Sequence, residues 1–186
     1  MNIIVKTYSG KIISRPDTSW EKDSEDFYPP DFIESITLSP VIFAKICKAG
    51  KSVSPKFAER YYDSFGYGLL LYPENLIDGS PEGLACASCI DHTSFLPFPL
   101  YEKGRERGNF ILYKDGEKIF QQEAGRDGLI EESISEASEH SCLRTGDLVA
   151  IELAPRSFLT EKITGRTEIS VSYEGNKILD FRIIFG

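Results

Sequence analysis

Residues 129–153 read LIEESISEASEHSCLRTGDLVAIEL. Leu129 or Ile130, then Ile134 and Ala137, recur on one face at helical spacing, which predicts a helix over Leu129–His140. Ser133 and Glu136 have capping-box spacing but sit too far inside to cap, so Asp127 is the N-cap candidate. Leu143-Arg144-Thr145-Gly146-Asp147 then reads as a turn, and Leu148–Leu153 as a strand.

Working outward, hairpins flank this unit. On the N-terminal side, Asn109–Tyr113 and Lys118–Gln121 are joined across Asp115-Gly116, a strong turn dipeptide. On the C-terminal side, Ile169, Val171 and Tyr173 alternate, Glu174-Gly175-Asn176 turns, and Ile178–Phe185 returns. Earlier in the chain, Ser39–Lys45, Tyr67–Tyr72 and Leu84–Ile90 read as strands, and Asn2–Ser14 as a hairpin. Ser54-Pro55 looks like a helix start, with Phe57, Tyr61 and Phe65 at i, i+4, i+8 and Gly66 as the stop. Residues 15–34 are acidic and broken by Pro16, Pro29 and Pro30. They read as a surface arm, neutralised only by Arg15 and Lys22 and pinned by Trp20, Phe27, Tyr28 and Phe32. The pattern predicts a β-dominated α+β fold. It divides into a hairpin and acidic arm over 1–39 and a main domain over 40–186.

At 186 residues the chain can bury a core without a disulfide or metal. Its net charge of −8 argues against a phosphate-backbone binder, so no nucleic-acid partner is expected. The apolar run Ile3-Ile4-Val5 is far short of a signal-peptide core, and no stretch reaches membrane-spanning length. Four cysteines are too few for a disulfide scaffold, which favours a cytoplasmic protein with reduced thiols and no membrane partner.

The chemistry-bearing residues are sparse. No phosphate-binding glycine loop and no G-x-S-x-G elbow occurs. Cys86 and Cys89 form a C-x-x-C, but on a strand their thiols would point to opposite faces. A zinc site from Cys86, Cys89, His140 and Cys142 is the sharper reading, and small buried hydrophobes the plainer one. Asp91-His92 follows the Leu84–Ile90 run, where a carboxylate and an imidazole are candidates for metal ligand and general base. The alternative is a turn in which Asp91 bonds its own backbone. Glu59 and Asp63 would share a helix face, and 103–107 is a mixed-charge loop.

Pro40-Val41-Ile42-Phe43-Ala44-Lys45 resembles the "P-V-I-F-x-K" strand of the fumarylacetoacetate hydrolase family. Residues 109–122, NFILYKDGEKIFQQ, resemble that family's "L-x-V-N-G-E-x-x-Q" hairpin. Ser135 and Leu143-x-x-Gly146-Asp147-Leu148-Val149 match its helix–turn–strand. The resemblance spans Pro40 to Phe185 and implies a mixed β-sandwich roll, a homodimer, and Mg2+- or Mn2+-dependent chemistry on acylpyruvates and oxo-acids. It makes Lys45, the strand lysine, a catalytic candidate and Asp91 a metal ligand, with His92 a second catalytic candidate beside it. The family's E-x-E pair falls near Ser64 and Gly66, which are not carboxylates, and its substrate-contacting T-G-T segment falls on Ile151-Glu152-Leu153, where it is also lost. The "R-N-Y-x-x-H" lid has no counterpart before Pro40. The expectation is therefore a divergent relative with a partly lost metal site, binding a small acidic oxo-acid-like ligand or a partner rather than catalysing. A working metal-dependent hydrolase, decarboxylase or isomerase, with Glu59, Asp63 or Glu74 as replacement ligands, is the alternative. An unrelated β-rich binding module is the second.

Overall fold

Twelve consecutive residues, Ser35–Ile46, form the central strand, and twelve more, Tyr62–Pro73, pair with it antiparallel. The structure is a computed structural model, described for residues 1–106, 108–122 and 128–186. In chain order its elements are β1 (Ile3–Lys6), β2 (Ile12–Arg15), β3 (Trp20–Glu21), β4 (Ser35–Ile46), α1 (Pro55–Ala58), β5 (Tyr62–Pro73), α2 (Pro81–Ser88), β6 (Ser94–Phe95) and β7 (Tyr101–Glu102). They continue with β8 (Phe110–Lys114), β9 (Glu117–Gln122), α3 (Leu129–His140), β10 (Leu148–Glu152), β11 (Ser157–Glu161), β12 (Arg166–Tyr173) and β13 (Asn176–Ile184). One sheet runs β2-β1-β10-β4-β5-β6-β3, with β11 added to β4 and β7 to β5. It is mixed, because β1 lies parallel to β10 and β3 parallel to β6. The second sheet is β13-β12-β8-β9, all antiparallel. The α+β, strand-dominated architecture is the one expected from the sequence.

The central strands are buried on both faces. Ile36, Leu38, Ile42 and Ala44 of β4 join Phe65, Tyr67, Leu69 and Leu71 of β5 in the larger core. That core is closed by the second sheet and α3, with Phe95 stacked on Phe181 and Tyr67 on Phe110. Val41 and Phe43 face the other way with Leu70 and Tyr72, in a smaller core under α2.

The three hairpins and α3 form where the sequence places them. Gly128 occupies the N-cap of α3 at φ +77°, while Asp127 and Arg107 lie outside the described residues. Two expectations are corrected. The helix read from Ser54 to Phe65 is only α1, and Phe65 belongs to β5. A twelve-residue partner strand outweighs a loose aromatic stripe at helical spacing, and aromatic residues suit a sheet. The strand read from Leu84 to Ile90 is α2 instead. Ser80 caps it through Oγ accepting the Gly83 N–H at 3.0 Å, and Pro81 takes the first position.

The arm over 15–34 is also not a surface loop throughout. Arg15, Glu21, Phe27 and Ile33 are buried. Trp20 and Phe27 do pin it, through Trp20 Nε1–H to Leu96 O at 2.9 Å and the Phe27 backbone against β13, whereas Tyr28 and Phe32 stay exposed. The boundary drawn at 39/40 falls inside β4.

Candidate functional site

The strand ends of β1, β5 and β10 converge at one end of the central sheet, beside the start of β4. There Tyr72, Glu152 and Thr37 lie on the face of the smaller core. Glu152 ends an otherwise apolar strand and is 8% exposed. Its Oε1 accepts the Tyr72 hydroxyl at 2.7 Å and its Oε2 accepts the Tyr8 N–H at 2.8 Å, which fastens the β1–β2 turn. Burial, with the Glu152 carboxylate beside it, pushes the Tyr72 phenol well above its ordinary range, so the phenol stays a donor. Thr37 Oγ1 donates to Glu74 Oε2 at 3.0 Å. Arg156, in the connection to β11, is exposed and lies 5.4 Å from the Tyr72 ring centre. Together with Thr7, Ser9, Leu84 and Pro155 these residues line a cleft of about 330 Å³.

Beneath the cleft lies Arg15. Its Nη2 donates to Leu71 O at 2.7 Å, and its Nη1 to Ser94 Oγ at 2.9 Å and to Thr93 O at 3.1 Å. Its guanidinium carbon is 4.3 Å from the centre of the same Tyr72 ring. Desolvation pulls its pKa below the ordinary arginine value, while Tyr72 and Glu152 oppose that pull. Arg15 Nε and the nearby Ser39 Oγ are buried without hydrogen-bond partners.

The residues singled out from the sequence lie elsewhere. Lys45 is exposed at the far end of β4, 5.9 Å from the Phe98 ring centre. Asp91 and His92 form an exposed turn just before Thr93, whose carbonyl pairs with Leu71. Leu71 is in register with Leu38, so this turn and Lys45 stand roughly 20 Å apart along the strand. The structure brings Asp91 and His92 together and leaves Lys45 apart. His92 adopts φ +55°, its N–H donates to Thr18 O, and Nδ1 is 3.2 Å from Glu21 Oε2. Asp91 and His92 border a small cleft of about 250 Å³ with Tyr28 and Cys89.

A divalent ion does not fit the donor set that the resemblance implies. Ser64 and Gly66 lie on β5, but a Cβ at Gly66 would stand 2.5 Å from the Phe43 ring. At Gly68 it would stand 2.1 Å from the Phe95 carbonyl oxygen. No carboxylate side chain fits at either glycine, and Mg2+ asks for near-octahedral oxygen donors. Among the described residues, no group of three or more His, Cys, Asp and Glu is placed to hold a metal. Glu59 caps α1 and Asp63 sits on β5, so they share no helix face; Glu74 lies at the opposite end, in the cleft. Cys86 and Cys89 end a helix, where i and i+3 share a side, so the diverging geometry expected of a strand does not apply. All four cysteines are exposed and free, not buried.

Sequence reasoning passed over Tyr72, Arg156 and Arg15. One signal was available: a glutamate inside the apolar run Leu148–Leu153 has to be hydrogen-bonded if buried.

No family model and no curated protein matches the sequence. Solved structures do match. A fumarylpyruvate hydrolase from Pseudomonas aeruginosa, in complex with Mn2+ and pyruvate, is 17% identical with a TM-score of 0.83, over 100% of this chain and 90% of that one. A Yersinia pestis protein assigned to the fumarylacetoacetate hydrolase family is 16% identical with a TM-score of 0.81, over 98% and 92%. A 5-carboxymethyl-2-hydroxymuconate delta-isomerase from Mycobacterium smegmatis is 12% identical with a TM-score of 0.78, over 100% and 79%. At these identities it is architecture that is shared, and the chain has the fold of the fumarylacetoacetate hydrolase family.

Proposed function

We propose that this protein binds a small carboxylate in the Tyr72–Glu152–Arg156 cleft and does so without the Mn2+ that the fumarylpyruvate hydrolase neighbour carries. One observation carries the reading. The cleft is built around Glu152, while the Gly66 place of the E-x-E pair is closed by the Phe43 ring. Arg156 supplies a planar guanidinium for a carboxylate, and the hydroxyls of Thr7 and Ser9 line the same cleft. Glu152 holds Tyr72 and the β1–β2 turn in place. The neighbour that carries Mn2+ and pyruvate supports a ligand of this size. A homodimer belongs to the same proposal and is checked by light scattering.

The test is thermal unfolding with pyruvate, with and without Mn2+, on the wild type, Arg156→Ala and Asp91→Ala. Saturation at 100 Kd adds about 2.7 kcal/mol, a shift of several degrees at this chain length. The expected result is a shift with pyruvate alone that survives Asp91→Ala and vanishes in Arg156→Ala. A shift that needs Mn2+ and disappears in Asp91→Ala would establish the alternative, a working metal-dependent enzyme of oxo-acids with relocated ligands.

A further inference from the structure

We infer that the ligand of this cleft is a zwitterion, a small molecule carrying a carboxylate and an ammonium group in the manner of an α-amino acid. The inference rests on the carboxylate-site reading above and narrows it.

Four charged side chains lie at the Tyr72 ring or line the cleft beside it, and they fall into two pairs. The inner pair is Arg15 and Glu152. Both are buried, and they communicate through the phenol: the guanidinium lies 4.3 Å from the ring centre and the hydroxyl donates to Glu152 at 2.7 Å. Their charges offset each other inside the protein. The outer pair is Arg156 and Glu74. Arg156 is exposed and Glu74 half-buried, and both line the cleft. Neither forms an ion pair among the described residues. Opposite charges that share a cleft without meeting present a positive and a negative pole to whatever enters.

A guanidinium takes a carboxylate through two parallel N–H donors. The Glu74 carboxylate and the spare lone pairs of Glu152 suit the three donors of an ammonium group. A 2-oxo acid satisfies only the first pole. Its keto oxygen would face a carboxylate with no proton between them, and such an unpaired contact selects against it. Leu84 and Pro155 supply apolar surface for a small aliphatic side chain, and about 330 Å³ is enough for one.

The experiment is calorimetric titration of two matched pairs, L-alanine against pyruvate and L-leucine against 4-methyl-2-oxopentanoate. Wild type, Glu74→Gln and Arg156→Met are compared. Glutamine still accepts from Thr37, and Arg156 is exposed, so both variants keep the fold. Each amino acid is expected to bind about fivefold tighter than its oxo acid. Glu74→Gln brings the pair to parity, and Arg156→Met weakens both by about tenfold. An oxo acid that binds as tightly as its amino acid, or a preference that survives Glu74→Gln, overturns the inference alone. If neither member of either pair binds at millimolar concentration, the carboxylate-site reading falls and this inference with it.

Discussion

On one face of the central sheet, Phe65, Tyr67, Leu69 and Leu71 meet a second sheet and a helix. On the other, Leu70 and Tyr72 pack in the smaller core with the shorter helix α2 and the N-terminal hairpin, while Gly66 lies against Phe43 and Gly68 against the Phe95 carbonyl. The first face is closed by stacked rings and apolar side chains. The second is thinner, and its margin holds a buried arginine, a buried glutamate and a serine hydroxyl without a partner. Buried polar groups are costly unless satisfied, so Arg15 and Glu152 gathered around one ring beside a cleft mark a candidate site for chemistry. Packing on the first face holds the molecule together. Packing on the second holds the cleft.

The largest expected effect comes from Gly66→Glu, which puts a family-like carboxylate back on the second face. Its Cβ would stand 2.5 Å from Phe43 and its charge would be buried without a partner. A loss of about 4 kcal/mol or more is expected, read as failure to yield folded protein or as a collapsed urea midpoint. A stable Gly66→Glu that binds Mn2+ would mean that this face still accepts a metal site. Next come Leu69→Ala and Leu70→Ala, neighbours on β5 that face opposite ways and are both fully buried. About 4 kcal/mol for Leu69 and about 3 for Leu70 are expected from urea unfolding, because the smaller cluster relaxes further into the space. Equal losses would mean that the two faces are packed alike.

Arg15→Met should cost about 2 kcal/mol, since the Leu71 carbonyl and the Thr93 and Ser94 side chains lose a buried donor. Arg15→Lys should not rescue it, because an ammonium cannot replace the forked geometry. The smallest effect belongs to Asp26, on the rim of the second sheet. Hydrogen bonds from Arg182 hold its carboxyl below the usual range. Its contribution is therefore present above about pH 4 and is lost as pH falls through the depressed value. Asp26→Asn should leave neutral stability within about 0.5 kcal/mol and flatten the acid limb of the melting curve.

Much of this contrast was legible in the sequence and part was not. The hairpins, α3 and β10 could be read because each carries a local device: Asp115-Gly116, Glu174-Gly175, an apolar stripe, a Gly146-Asp147 turn. Of three Ser-Pro pairs, at 39–40, 54–55 and 80–81, only Ser54-Pro55 reads as a helix start, yet it is Ser80 that forms the side-chain cap and leads a full helix. Which pair wins depends on β4 demanding a long partner, and that demand is not local. The cleft was illegible for the same reason. Arg15, Tyr72 and the Glu152–Arg156 segment come from three separate stretches, and only the register of the sheet puts them around one ring. Reading Arg15 as a counter-ion for its acidic neighbours was reasonable by proximity in sequence, but the folded chain turns it inward.

The parallel pairing of β1 with β10 has a consequence for how the molecule is made. Ile3 sits opposite Leu148, and Ile4 opposite Val149. During synthesis the Ile3-Ile4-Val5 segment leaves the ribosome long before its neighbour exists, and for that interval it is an apolar strand with an open edge. Closing so long a loop is slow compared with forming the hairpins further along, so β1 gains its second neighbour only late in folding.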